Sequence, residues 1–246
     1  MTPCQIVGVH DDGAASLTAH AQELLRAADL VIGAPHQLRA VATLLPEQTK
    51  RRDANGRVSI VAAWVEEALG AGRRVVVLAT GDPLYFGIAA GLIAALGRER
   101  VQVVPTLSSV QLAAARLGLP WQDAKLVSVH AADAGEWMPG ARHDHGLAPL
   151  VRAVARYDLL FCLTSPANDP ARIARLLLAA GLGEAFRLDV ATRLNAPDEA
   201  LFTDLTPAAV AERTFPAPNV LVLRRIALRP PRPRFGIEDG DYAQRQ

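Results

Sequence analysis

The sequence predicts a two-lobed α/β protein, with a mostly parallel N-terminal sheet, a mixed C-terminal sheet and a ligand cleft between them. Three observations carry this reading. From Gln5 to Leu117, short aliphatic runs alternate with segments whose apolar residues recur at helical spacing, the pattern of crossover-linked parallel strands. After a break at Gly118-Leu119-Pro120-Trp121, two strand patterns at 187–191 and 200–204 lie close enough to form a hairpin, which makes the second sheet mixed. Between the buried run Val75-Val76-Val77-Leu78 and the apolar run Ile88 to Leu96 stands Ala79-Thr80-Gly81-Asp82-Pro83-Leu84-Tyr85-Phe86-Gly87. Ligands in open α/β sheets bind beyond the carboxyl ends of strands, where this loop falls.

The elements follow in order. Gln5 to Val9 is a strand, and Leu17, Ala21, Leu24, Leu25 and Ala28 mark one helix face before the strand Leu30 to Gly33. Pro35 opens a short helix. Residues 47–57 read as a charged loop with an Asn55-Gly56 turn, and Ser59 as the N-cap of a helix from Ile60 to Leu69 that stops at Gly70 or Gly72. After the central loop and its helix, Gly97 precedes the strand Val101 to Val104, and Ser108-Ser109 starts a helix through Leu117. In the second half the strands are Leu126–Val129, Asp158–Leu163, Arg187–Ala191, Ala200–Asp204 and Asn219–Arg224. Helices are expected at Leu147–Arg156, Pro170–Ala180 and Pro207–Arg213, and a polar loop at 131–146. The domain reading is a lobe at 1–121, a lobe at 122–228 and a Pro/Arg-rich tail at 229–246.

Composition removes several function classes. With 246 residues, half of them hydrophobic, the chain can bury a sizeable core. A net charge of +1, from 26 basic and 25 acidic residues, implies no general attraction for polyanions, and no nucleic-acid partner is expected. No apolar run approaches the roughly 18 residues of a membrane span, and no signal-peptide pattern opens the chain, so a cytoplasmic location is expected. Cys4 and Cys162 each adjoin a buried-strand pattern and read as small buried hydrophobes. No metal is expected: CxxC and HExxH are missing, and His143 and His145 sit in a polar loop. GxGxxG and GxxxxGK[ST] are missing too.

Three loops that follow strands could meet a ligand. Thr80-Gly81-Asp82-Pro83 offers a hydroxyl, a bare backbone and a carboxylate, and reads equally well as a tight turn. Ser108-Ser109 reads most simply as a helix cap, although a helix N-terminus also suits an anionic or polar ligand. Thr164-Ser165-Pro166-Ala167-Asn168 is the counterpart in the second lobe. His10 and His130 directly follow strands and could face the cleft.

Taken in order, five segments resemble the tetrapyrrole (class III) S-adenosylmethionine-dependent methyltransferases. They are Ile6-Val7-Gly8-Val9 with Asp11-Asp12-Gly13, Ala27 to Gly33, Leu78 to Gly87, Val104 to Trp121 and Pro218 to Leu223. Within that superfamily the chain is most similar to the precorrin-6Y, or cobalt-precorrin-7, carbon-5 methyltransferases. The most specific piece is the run from Ser108 to Trp121, supported by Val127-Ser128-Val129-His130 and the acidic turn Asn195-Ala196-Pro197-Asp198-Glu199. Phe235-Gly236-Ile237-Glu238-Asp239 resembles the linker that leads, in fused relatives, to a carbon-15 methyltransferase and decarboxylase domain, which this chain is expected to lack. Two positions depart from the family pattern: His10, where glycine is usual, and Ala131-Ala132, where glycine and arginine commonly follow the strand.

The resemblance implies the tetrapyrrole methylase fold and methyl transfer from S-adenosylmethionine to a ring carbon of a precorrin or cobalt-precorrin in cobalamin biosynthesis. Carbon 5 is the expected position, ahead of carbon 15. It places Gly81, Asp82, Leu84, Ser108 and Ser109 against the cofactor from the first lobe. Leu163, Thr164, Leu194, Pro218 and Asn219 would enclose it from the second. His10, Asp82 and His130 are the candidate bases, the substrate's own carboxylates an alternative, and Arg39, Arg52 and Arg193 candidate carboxylate contacts. The implied partners are the tetrapyrrole, a second copy of the chain as homodimer and a separate carbon-15 methyltransferase/decarboxylase subunit. Two other readings stay open: a methylase of the same class acting on another precorrin, uroporphyrinogen, diphthine or ribosomal RNA, and a non-catalytic tetrapyrrole-binding subunit.

Overall fold

Alternation of buried side chains decides how the first sheet is covered. In the computed structural model, which describes residues 2–54 and 58–228, β1 (Cys4–Val9) is buried along its whole length. Its neighbours are β4 (Val75–Thr80) and β5 (Val101–Val104), both parallel to it. Beyond β4 lie β2 (Leu30–Gly33) and β3 (Lys50–Asp53), giving the all-parallel order β3-β2-β4-β1-β5. Ile6, Ile32, Val75 and Val77 point to α3 (Val58–Gly70) and α4 (Ile88–Leu96). Val7, Val9, Val31, Val76 and Leu78 point the other way, to α1 (Ala19–Ala27) and to the segment after α2 (Pro35–Ala40). Strands buried on both faces lose their polar positions, which is why these runs read as continuous aliphatic sequence.

Two local expectations are corrected here. Residues 50–53, read as part of a charged loop, form the edge strand β3, which pairs with β2 from Lys50↔Leu30 to Asp53↔Gly33. Backbone pairing needs no apolar side chains, and charge on an edge strand discourages pairing with other chains. Ser59 is not an N-cap, because α3 already begins at Val58 and Ser59 lies within its first turn. The Asn55-Gly56 turn and the tail from residue 229 fall outside the described residues.

The second sheet runs β6-β7-β10-β8-β9, comprising β6 (Lys125–Ser128), β7 (Leu159–Leu163), β10 (Asn219–Arg225), β8 (Phe186–Thr192) and β9 (Ala200–Leu205). Only β6 and β7 are parallel; β8 and β9 form the expected hairpin, so the sheet is mixed. One face carries α6 (Ala148–Val154), α7 (Pro170–Ala179) and α8 (Pro207–Ala211). The other carries α5 (Ser109–Leu117): Val110, Ala113 and Ala114 pack with Phe161, Ala191, Val220 and Val222. The chain therefore leaves the first sheet at β5 and lays the next helix on the second, which brings the carboxyl end of β5 to the junction of the two.

Candidate functional site between the sheets

The first-lobe part of the site is built by close backbone approach. Gly81 follows β4 with φ +66°, and its N–H donates to the Val9 carbonyl at 3.1 Å. A Cβ on Gly81 would lie 3.1 Å from Ser108 Cα and 3.2 Å from the Leu107 carbonyl oxygen, so the loops after β4 and β5 touch at this point. Asp82 shapes the turn that follows: its Oδ1 accepts the Leu84 N–H at 2.9 Å, and its carbonyl accepts the Tyr85 N–H at 3.0 Å. The turn projects Leu84 and Phe86 outward, and Leu107 stands out from the loop after β5, each more than half exposed.

Ser108 has the capping role expected of it. Its hydroxyl accepts the Gln111 N–H at 3.2 Å, and Gln111 Oε1 accepts the Ser108 N–H at 2.8 Å. The N–H groups of Ser109 and Val110, in the first turn of α5, have no intrahelical acceptor. His10 is buried, with Nε2 2.7 Å from the Leu107 carbonyl oxygen, and so fastens the end of β1 to the same loop. Gln37 was not singled out in the sequence: it donates to Thr80 Oγ1 at 3.1 Å while its Oε1 caps α2 at Ala34. No local pattern links residues 43 positions apart, so nothing in the sequence could have found that contact.

From the second lobe, Leu163 ends β7 and pairs with Val220 at the start of β10. Thr164 is buried, its hydroxyl 2.6 Å from Asn219 Oδ1 and 3.1 Å from the Asn219 carbonyl oxygen. Pro218 accepts the Arg193 N–H at 2.8 Å, which draws the turn carrying Leu194 toward Asn219. Tyr85 joins the two halves. It leaves the first-lobe loop and packs in the cluster formed by α5, Phe161 and Val220, with Leu163 and Leu194 at its border. Its hydroxyl is buried with no hydrogen-bond partner among the described residues. Burial, and secondarily the Cys162 thiol, push the phenol up to about 12. The sequence marks Tyr85 only as part of its loop; the one local signal is an aromatic with a polar tip between Leu84 and Phe86, which stay exposed.

The remaining candidates lie elsewhere or are already engaged. His130 is exposed beyond β6, its backbone N–H 3.4 Å from Ser128 Oγ, and no described hydrogen bond joins it to the loops at 81–87 or 107–109. Arg52 pairs with Glu67 at 3.3 Å and lies over Trp64, and Arg39 is exposed. Arg193 pairs with Asp198 at 2.6 Å; that bond, with a further contribution from the charge of Asp11, strengthens its hold on its proton. Cys4 and Cys162 are buried free thiols, and burial pushes both up to about 12. Among the described residues no group of His, Cys, Asp and Glu could hold a metal, and no helix is long and apolar enough to cross a membrane.

Comparison with known proteins gives one consistent result. The family model described as Tetrapyrrole (Corrin/Porphyrin) Methylases matches residues 4–209. A precorrin-6Y C(5,15)-methyltransferase (decarboxylating) of a Sinorhizobium species is 32% identical over 200 residues, covering 81% of this chain and 44% of the relative. A cobalt-precorrin-7 C(5)-methyltransferase of Salmonella typhimurium is 28% identical over 178 residues, covering 72% of this chain and 79% of the relative. The chain thus spans less than half the length of the first of these and most of the second. Among solved structures, uroporphyrin-III C-methyltransferase from Thermus thermophilus, complexed with S-adenyl homocysteine, superposes with a TM-score of 0.66 at 24% identity over 90% of this chain and 92% of that one. The precorrin-6Y methylase of Archaeoglobus fulgidus gives 0.64 at 19% identity over 92% and 99%. At such identities the structural matches establish the shared fold.

Proposed function

Since the chain belongs to the tetrapyrrole methylase family, we propose that it transfers the methyl group of S-adenosylmethionine to carbon 5 of a precorrin or cobalt-precorrin in cobalamin biosynthesis. Carbon 5 is the position that the names of both relatives share. The observation that carries the reading is that the loops at 81–87 and 107–109 touch at Gly81 and Ser108, while Tyr85 of the first loop and Leu163 at the end of β7 pack against the same cluster of α5 and the second sheet.

The residues present fit such a cofactor. Tyr85 brings an unpartnered buried hydroxyl, and Asp82 keeps Oδ2 without a partner among the described residues. The first turn of α5 adds N–H groups at its positive end, suited to a carboxylate. A bound sulfonium supplies the chemistry as a methyl donor that needs no metal. What the protein supplies is alignment and exclusion of water. Gly81, whose missing side chain makes room for Ser108, offers the ligand its backbone from the loop after β4, and Ser108 and Ser109 meet its methionine end. Leu84 lies beside Asp82, while Leu163, Thr164, Leu194, Pro218 and Asn219 close the adenosine side. The exposed Leu84, Phe86 and Leu107 offer an apolar rim to a macrocycle. His10 and Asp82 each spend one atom on the loop backbone, so the positions left for proton transfer are Nδ1 of His10 and Oδ2 of Asp82. The working unit in this reading is a cytoplasmic homodimer, with carbon 15 served by a separate subunit.

Mass spectrometry after incubation with S-adenosylmethionine and the precorrin, or its cobalt counterpart, tests the proposal. The expected product gains one methyl group and keeps its carboxylates. Loss of carbon dioxide by this chain alone, or no gain at all, overturns it. Sedimentation of the purified chain tests the dimer, and a monomer at working concentration overturns that part.

A further inference from the structure

Outside the loops just described, one hydrogen-bonded cluster reaches the candidate site without being part of it. Arg116, near the end of α5, sends Nε to Glu199 Oε1 at 2.6 Å and Nη2 to Asn195 Oδ1 at 3.1 Å. Glu199 completes the ring, its Oε2 accepting the Asn195 N–H at 2.7 Å. These contacts bridge 83 and 79 residues of sequence and tie α5 to the turn between β8 and β9. That turn carries Leu194, and it is unusual in its backbone. Arg193 and Asn195, on either side of Leu194, both have positive φ, 48° and 63°. Non-glycine residues hold that conformation when their surroundings over-determine it. The surroundings here are Arg116 and Glu199 on one side and, on the other, the Arg193 N–H on the Pro218 carbonyl at 2.8 Å. Beyond Pro218, Asn219 holds Thr164.

We propose that Arg116 is a positioning residue for the second-lobe wall of the S-adenosylmethionine site, setting the turn that presents Leu194 and, through Arg193 and Pro218, the Thr164–Asn219 pair. The assignment rests on the reading of 163–164, 194 and 218–219 as that wall. Arg116 touches no ligand itself. It acts because a planar guanidinium satisfies a carboxylate and an amide oxygen at once, in a fixed fork. A lysine offers a single point charge and cannot span both acceptors in the same way. The carboxylate of Glu199 gives up some of its solvation to take part, and the bonds from Asn195 and Arg116 more than restore its preference for the charged form. The relationship also explains why two separated stretches, 108–121 and 195–199, belong together: each holds one half of the same clamp.

The test is titration of the full chain with S-adenosylhomocysteine, alongside thermal melting without ligand. Arg116→Gln and Glu199→Gln are each expected to weaken binding about tenfold, the size of one lost charge-assisted contact. The double variant should lose less than the sum of the two single losses, because Arg116 and Glu199 share a bond while each also holds Asn195. Arg116→Lys should fall between the wild type and Arg116→Gln. In turnover, the KM for S-adenosylmethionine should rise with kcat preserved. Arg74→Gln, which removes a comparable bidentate pair with Asp29 in the first lobe, controls for general destabilisation and should leave affinity unchanged. If the wild type binds and Arg116→Gln binds equally well, or if the two single losses add, the positioning role is overturned and the site reading stands. If the wild type itself does not bind, the site reading fails and takes this proposal with it.

Discussion

Gly81 and Ser108 stand so close that a side chain on Gly81 would crowd the backbone of Ser108: its Cβ would lie 3.1 Å from Ser108 Cα, and the residue already has φ +66°. Gly81→Ala meets both constraints, a left-handed backbone and an overfull contact. The expected cost is about 1–3 kcal/mol of stability, with weakened cofactor affinity because the loops at 81–87 and 107–109 must part. Gly8→Ala is expected to be worse, since its Cβ would overlap the Gly81 carbonyl oxygen and lie 2.7 Å from the Thr106 nitrogen. Urea unfolding of both variants checks the order. Equal stability of Gly8→Ala and wild type would show that the β1, β4 and β5 ends are looser than described.

Asp82 has two separable roles, and two substitutions divide them. Its Oδ1 closes the turn onto the Leu84 N–H, whereas Oδ2 stays open to a ligand. Asp82→Asn keeps an oxygen for the turn and removes the charge; Asp82→Ala removes both. If the carboxylate faces a cofactor, both variants lose affinity while only Asp82→Ala also loses stability, by about 1 kcal/mol. Calorimetric titration beside urea unfolding reads the two quantities separately. Full affinity in Asp82→Asn would leave the residue as a turn former alone.

Much of this architecture was legible because buried parallel strands leave a plain trace: aliphatic runs such as Val75–Leu78, ended by glycine or proline. The loop from Ala79 to Gly87 could be located for the same reason. What escaped were features that do not use side-chain hydrophobicity. Lys50–Asp53 forms a strand through its backbone alone, so its composition read as loop. The periodicity of 109–117 showed an apolar face but not that the face seeks the second sheet. Residues brought together by the fold at long range, such as Thr164 with Asn219 or Arg116 with Glu199, carry no local signature. The family resemblance pointed to the loops at 81–87 and 108–109 without showing their contacts, and the packing of Tyr85 against α5 and the second sheet has no local trace in the sequence.

Asp29 gives a pH prediction whose sign can be worked out. The Arg74 side chain and backbone N–H hold its carboxyl down at about 2 in the folded protein. A depressed carboxyl pKa adds stability above the unfolded value of about 3.9, and that stability is lost as pH falls through the folded value of about 2. The pair is exposed, with side chains 58% and 40% accessible, so solvent screening keeps the contribution small. Asp29→Asn should therefore lower the urea midpoint slightly at pH 7, and the difference from wild type should shrink below pH 4. A difference that grows on acidification would contradict the ion pair.

Tyr85 sets the most direct test of how the two lobes meet. Its ring is part of the shared apolar cluster, but its hydroxyl is buried without a partner among the described residues. An unsatisfied buried hydroxyl costs about 1–3 kcal/mol of desolvation that folding does not recover. Tyr85→Phe keeps the ring and removes that burden, so the ligand-free protein is expected to gain about 1 kcal/mol. A hydroxyl retained at such a cost is accounted for if bound cofactor or macrocycle supplies its partner. With saturating S-adenosylhomocysteine or tetrapyrrole, the advantage of Tyr85→Phe should then narrow or reverse, because the wild type recovers a hydrogen bond that phenylalanine cannot make. Urea midpoints of both proteins, with and without each ligand, decide the matter and also identify which ligand the hydroxyl meets. If Tyr85→Phe is instead destabilised without ligand, the hydroxyl already has a partner in solution, and its part in the site falls away.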